Sequence, residues 1–361
     1  MTRRSFVTAL AGASALAAQN ATPAVPLKLG IDTYSLRAFK WNVDQMLDYA
    51  EEQKLDAIQA SRGDFTSFDE AYLRKVKDRA NRLGIIVEPG WGCISTVSKQ
   101  WNPRQGTPTS YLEEGIRAAR LLGARSFRVF VGGAGDRAGG TNINALLESA
   151  ITGLKTVRRQ ALDAQVKIAI ENHGEFQARQ VKTIIEEAGK DFVASCLDTG
   201  NPVNVLEDPL HTLEVLAPYV VSTHIRDSVV FEHPRGAAVQ WVALGDGSID
   251  FVKLTARFRE LCPQAPFLME VITGRPPAVV PYLEPAFWKN FAGTPAEDFA
   301  RFVALAKKGH PLMAPIIQSD VSGAPFPPEY AAALKAQQRY DLDRSLAYAK
   351  KTLNAGTRWR G

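Results

Sequence analysis

Residues 166–173 read Val-Lys-Ile-Ala-Ile-Glu-Asn-His, an apolar run of strand length closed by the acid Glu171. The pattern recurs three times downstream. Residues 193–200, Val-Ala-Ser-Cys-Leu-Asp-Thr-Gly, close on Asp198; residues 220–227, Val-Val-Ser-Thr-His-Ile-Arg-Asp, close on His224; and residues 266–270, Pro-Phe-Leu-Met-Glu, close on Glu270. An ionisable group at the end of a buried strand is costly unless it is paired or bound to a cation, so four in succession call for a shared explanation. A common metal ion supplies one.

Working outward, four similar β-branched runs lie upstream at 27–34, 57–61, 84–89 and 126–132. Amphipathic stretches at 43–54, 70–83, 111–122, 143–164, 181–188, 210–216 and 251–261 separate the eight runs, and Gly84 and Gly123 stop two of them as helix-terminating glycines do. Strand and helix alternate over roughly 250 residues, the count and length of a single (β/α)8 barrel. No GxGxxG follows the first strand, which removes the usual evidence for an open dinucleotide-binding sheet. The barrel is expected over 26–310, with a C-terminal helical extension over 311–361.

The first 25 residues stand apart. Thr2-Arg3-Arg4-Ser5-Phe6-Val7 precedes a mild alanine-rich run at 9–18, a pattern that resembles a twin-arginine export signal. The run is too short and weak for a stable membrane anchor. The expectation is a periplasmic or secreted protein, with a cytoplasmic one as the alternative. The 43 basic and 38 acidic residues are dispersed, and the net charge is +5, without the Lys/Arg run of a nucleic-acid footprint. Three scattered cysteines exclude a disulfide framework and a CxxC metal knuckle.

In such barrels the reactive groups sit at the C-terminal ends of the strands. Three carboxylates and an imidazole form a hard, oxygen-rich set for one divalent ion, with Mn²⁺, Mg²⁺ or Co²⁺ favoured and Zn²⁺ also compatible. Ile-Glu171-Asn-His, Leu-Asp198-Thr-Gly-Asn, Thr-His224-Ile-Arg-Asp227 and Met-Glu270, with Leu244-Gly-Asp-Gly-Ser-Ile-Asp-Phe251, resemble the xylose isomerase-like TIM barrels from about residue 27 to 271. That family includes sugar isomerases, ketose 3-epimerases and endonuclease IV. The last is set aside because its trinuclear zinc site needs more histidines than the five present. The resemblance implies that Glu171 and Glu270 flank a small carbohydrate and pass a proton through an enediolate while the ion holds two substrate oxygens. This chain departs from many of the epimerases at Asn201, where they carry a histidine.

Arg226 is expected to bind a substrate anion or, with slight preference, its neighbour Asp227. His173 is expected to orient the Glu171 ligand or line the pocket, and His233 to reach the substrate from a loop. Trp91 and Trp241 are candidate stacking walls, and Tyr34 and Glu88 candidate pocket residues at the ends of strands one and three. The glycines around Asp136 suggest a mobile loop. Two rival readings use the same site: elimination from a 3-keto-glycoside by a lyase, and a non-catalytic sugar-binding barrel. A homo-oligomer stays open.

Overall fold

A computed structural model describes residues 26–318 and 327–360; the expected export signal lies outside these residues. Eight parallel strands form the barrel. They are β1 (Leu29–Asp32), β2 (Ala57–Ser61), β3 (Ile86–Cys93), β4 (Ser126–Phe130), β5 (Lys167–Glu171), β6 (Val193–Asp198), β7 (Val220–His224) and, after an inserted hairpin of β8 (Asp227–His233) and β9 (Gly236–Val242), β10 (Phe267–Met269). The hydrogen-bonded order is β10-β1-β2-β3-β4-β5-β6-β7. The ring closes through a parallel bridge between Ile225 and Met269, with Ile225 N donating to Leu268 O at 2.7 Å and Glu270 N to Ile225 O at 3.1 Å.

The helices form where the apolar periodicity places them, and their ends are set by local chemistry. Asn42 and Gln45 make a reciprocal capping box at the start of Val43–Glu52. Gly84 takes the left-handed conformation, φ +67°, that ends Glu70–Leu83, so β3 begins two residues beyond the expected start and runs on to Cys93. The stretch expected as one helix from 143 to 164 is two, Ile143–Thr156 and Arg158–Ala164, broken at Val157. Close docking of Pro108–Leu122 on the sheet depends on Gly115, where a Cβ would sit 2.2 Å from the Phe127 ring.

The hairpin was not legible beforehand. β8 and β9 pair antiparallel, and β11 (Ala278–Val280) adds to β9, making a three-stranded sheet over the barrel mouth. It rests on its own apolar core of Val203, Val205, Val230, Val239, Phe291 and Phe302.

The C-terminal helix Pro328–Lys351 buries Leu342, Leu346 and Ala349 in the main core, and no helix among the described residues is long and apolar enough to cross a membrane. The chain then returns to the opposite end of the barrel, where Gly356 N donates to Leu27 O. Asp56, buried, ties this end together. Its carboxylate accepts from Leu29 N at 2.8 Å, Thr357 N at 2.9 Å, Arg358 N at 3.2 Å and the Thr357 hydroxyl. Asp56→Ala strands these donors, and chemical denaturation should show a loss of about 2–4 kcal/mol in unfolding free energy. A change below about 0.5 kcal/mol would show that the tail is not anchored this way.

Candidate functional site

The ends of β5, β6, β7 and β10 bring Glu171, Asp198, His224 and Glu270 together. All four are buried, and one ligand atom from each lies within 4.8 Å of the others. His224 Nδ1 is central, 3.4 Å from Glu171 Oε1, 3.9 Å from Asp198 Oδ2 and 3.2 Å from Glu270 Oε2. Neither His224 Nδ1 nor Glu270 Oε2 has a hydrogen-bond partner. Asp32 Oδ2 approaches from the other side of the ring, 3.5 Å from Nε2.

Two arginines oppose these carboxylates. Arg128 Nε donates to Glu171 Oε2 at 2.6 Å, and Arg226 Nε donates to Asp198 Oδ2 at 2.8 Å while lying 3.1 Å from Glu270 Oε2. With Asp32 included, four carboxylates face two guanidinium groups, so a divalent cation would bring the cluster to neutrality with His224 uncharged. The Nδ1 atom, which has no hydrogen-bond partner among three carboxylates, and the hard donor set fit such an ion. The four residues could therefore hold one.

Burial works against ionisation of Glu171 and Glu270, but the arginines and His224 overcome it and hold both carboxyls below their ordinary values. Asp198 goes the other way. Burial, with repulsion from Glu171 and Glu270, pushes it up to about 7 against the pull of Arg226.

Above the cluster opens a cavity of about 510 Å³, lined by Asp32, Tyr34, Arg128, Phe130, His173, Asn201, Arg226, Trp241, Glu270 and Arg275 among others. Of the expected pocket residues, Tyr34, His173, Asn201, Arg226 and Trp241 line it. Asn201 Nδ2 also donates to Glu171 Oε1 at 3.3 Å. His173 stacks on Phe130 with ring centroids 4.1 Å apart and bonds Gly132 O through Nδ1, so it forms a wall of the cavity and makes no hydrogen bond to Glu171. Burial lowers its pKa, which keeps the imidazole neutral at pH 7.

Three expected residues lie elsewhere. Trp91 is only 1% exposed and packs edge-on against Phe68 and Phe127, leaving only its backbone carbonyl near the site, where Arg128 Nη1 binds it. His233 closes β8 at the hairpin turn and accepts from Arg235 N, away from the cavity. Glu88 sits inside the barrel, taking the hydroxyls of Ser126 and Ser222.

Arg226 does not pair with Asp227, because adjacent residues leaving a strand point to opposite sides. Asp227 instead accepts from the amides of Ser228, Gly245 and Gly247. The glycine-rich stretch 244–251 is thus a clasp around Asp227, and a Cβ at Gly247 would lie 1.8 Å from the carboxylate. The segment expected as a mobile loop is a short helix, Ala134–Ala138, held by Asp136, which accepts from Gly133 N, Lys99 N and the Ser98 hydroxyl.

Asp32, Gln59, Arg128 and Arg275 were missed. Asp32 closes β1 as Glu171 closes β5, so the same rule would have found it; Gln59 and Arg128 are lone polar residues inside strands.

Comparisons with known proteins agree with the barrel fold. The family model described as "Xylose isomerase-like TIM barrel" matches residues 47–290. Curated relatives include YihM of Escherichia coli K12, 22% identical over 214 residues covering 58% of this chain and 60% of YihM. Another is 3-oxo-isoapionate decarboxylase of Pectobacterium atrosepticum, 24% identical over 251 residues covering 64% of this chain and 81% of the relative. Solved structures of the same fold include a D-psicose 3-epimerase in the presence of D-fructose, with TM-score 0.57, 15% identity and coverage of 90% and 98% of the two chains. A Mycobacterium smegmatis barrel in complex with magnesium aligns with TM-score 0.55, 14% identity and coverage of 79% and 98%.

A cation entering the cluster must displace the proton that Asp198 carries below its raised pKa of about 7. Against the effect of burial, the carboxylates around His224 raise its pKa well above the ordinary value, so its proton must be displaced as well. Calorimetric titration with Mn²⁺ should show affinity falling about tenfold or more per pH unit below 7 and still rising above it. Affinity independent of pH between 5.5 and 8 would contradict this electrostatic picture.

Proposed function

The chain belongs to the xylose isomerase-like TIM barrel family, and from that premise we propose that it is a divalent-metal-dependent isomerase or epimerase of a small carbohydrate. The observation that carries the reading is the buried quartet of Glu171, Asp198, His224 and Glu270 beneath an open cavity, of which Glu270 reaches the cavity wall. Mn²⁺, Mg²⁺ or Co²⁺ suits this mostly carboxylate set, and Zn²⁺ is compatible with it. The ion would polarise a substrate carbonyl and offset the charge left when the neighbouring carbon loses its proton.

The remaining chemistry belongs to the chain. Glu171 and Glu270 are ionised and poised to accept the proton from one carbon and return it to that carbon or its neighbour through an enediolate. Asn201 and neutral His173 offer hydrogen bonds to substrate hydroxyls, and Tyr34 provides a flat wall for the sugar, while Trp241 lines the cavity with its ring against Arg226 and Arg275. Arg226, held 4.4 Å from the Trp241 ring centroid, keeps positive charge beside the reacting carbons. Passage through an export route as a folded, metal-loaded protein is consistent with the N-terminal Arg3-Arg4 pattern.

A second reading uses the same enediolate-stabilising site either for decarboxylation, in which loss of carbon dioxide leaves the bonding pair on the substrate carbon, or for elimination from a 3-keto-glycoside, in which the deprotonated carbon expels the aglycone with its bonding pair. The decarboxylase among the curated relatives favours keeping it.

A panel of ketoses, aldoses and oxidised glycosides in deuterated water separates the readings. Isomerisation or epimerisation predicts carbon-bound deuterium, and elimination predicts a released aglycone or carbon dioxide. Glu171→Gln and Glu270→Gln should each lower turnover by about a hundredfold or more, and chelation should abolish it until Mn²⁺ is restored. Neither isotope uptake nor release in a metal-loaded sample would leave a non-catalytic sugar-binding barrel.

A further inference from the structure

A chain of buried hydrogen bonds runs up the barrel interior to the imidazole of His224, and its polarity can be followed link by link. It begins at Glu88, whose carboxylate accepts the Ser126 hydroxyl at Oε1, 3.1 Å, and the Ser222 hydroxyl at Oε2, 2.7 Å. With Glu88 ionised, against a burial that raises its pKa, the single proton of Ser222 is committed, and its oxygen accepts at its other contact, from Gln59 Nε2 at 3.0 Å. That contact orients the amide. Gln59 Oε1 is left facing His224 Nε2 at 2.7 Å, and an amide oxygen only accepts. The nitrogen opposite it must carry hydrogen. Asp32 Oδ2, 3.5 Å from the same nitrogen, is also an acceptor and points to the same assignment.

We propose that Gln59 is a positioning residue for the metal centre: by holding the proton on His224 Nε2 it leaves Nδ1, the nitrogen among Glu171, Asp198 and Glu270, as the one that meets the ion. The inference rests on the metal-dependent reading given above, and it explains why Nδ1 is the buried ring nitrogen without a hydrogen-bond partner. Gln59 is fully buried, and its amide is packed so closely against β3 that a Cβ at Gly90 would lie 3.1 Å from Oε1. Rotation of the amide would set Nε2 against a histidine N–H and Oε1 against a hydroxyl whose proton Glu88 holds. Partners that orient a ligating histidine in this way typically change metal affinity about 10–100-fold when removed.

The test uses the full chain loaded with Zn²⁺, a diamagnetic ion, with histidine labelled with ¹⁵N, together with calorimetric titration of Zn²⁺ and Mn²⁺. In the native protein the His224 resonances should show ligation through Nδ1 and a slowly exchanging Nε2–H. Gln59→Leu removes the acceptor at little change in volume. It should weaken both ions by about tenfold or more and bring the Nε2–H into fast exchange. Gln59→Glu keeps an acceptor on Nε2, and its affinities should stay within about threefold of native. Should Gln59→Leu fail to fold, Ser222→Ala releases the amide without touching Gln59 and should weaken binding by about threefold. Ligation of the native protein through Nε2, or unchanged affinities with an undisturbed Nε2–H in the folded variants, overturns the proposal. A native protein that folds but takes up neither ion defeats the metal-dependent reading instead, so the two failures are distinct.

Discussion

Carboxylates buried at the end of a barrel must face positive charge or be driven neutral. That requirement organises the C-terminal mouth. Glu171, Asp198 and Glu270 converge from three strands around one imidazole, and repulsion among them is relieved by Arg128 and Arg226, each of which must itself be held in place. Arg128 is braced by the backbone carbonyl of Trp91, whose side chain is buried among Phe65, Phe68 and Phe127. Arg226 lies over the Trp241 ring, whose indole N–H is anchored on Gly200 O. The aromatic residues near the site thus serve the charges first.

The same requirement accounts for the hairpin. Arg226 and Asp227 leave β7 in opposite directions, one into the mouth and the other into the scaffold. Asp227 gathers three backbone amides and so fixes both the start of β8 and the turn that leads to the helix Phe251–Leu261. β9 then carries Trp241 back to Arg226, and β11 widens the sheet into a wall of the cavity. Its separate apolar core lets this wall pack without disturbing the barrel.

Below the site, the barrel interior is polar where most of its neighbours are apolar. Glu88, Ser126, Ser222 and Gln59 satisfy one another in a connected set, so the strands lose nothing to unpaired buried groups there. Such a layer reads poorly from one chain. Glu88 on β3 and Ser222 on β7 are 134 residues apart and have no local signature of contact. His233 illustrates a different difficulty: the β8–β9 turn runs through Pro234-Arg235 without the Asn-Gly or Asp-Gly signal that marks a tight hairpin, so its residues looked like loop.

The amino-acid order alone determined the eight strand runs, most of the intervening helices and the four strand-closing groups, because apolar periodicity, helix-ending glycines and the cost of a buried charge act over a few residues. Tertiary structure decided which charges meet. It placed Arg226 on Asp198 and away from Asp227, sent Trp91 and Glu88 into the interior, and brought Asp32, Gln59 and Arg128 around the quartet. Those outcomes depend on barrel closure and on the direction each side chain takes from its strand, and both are settled only when distant segments pack.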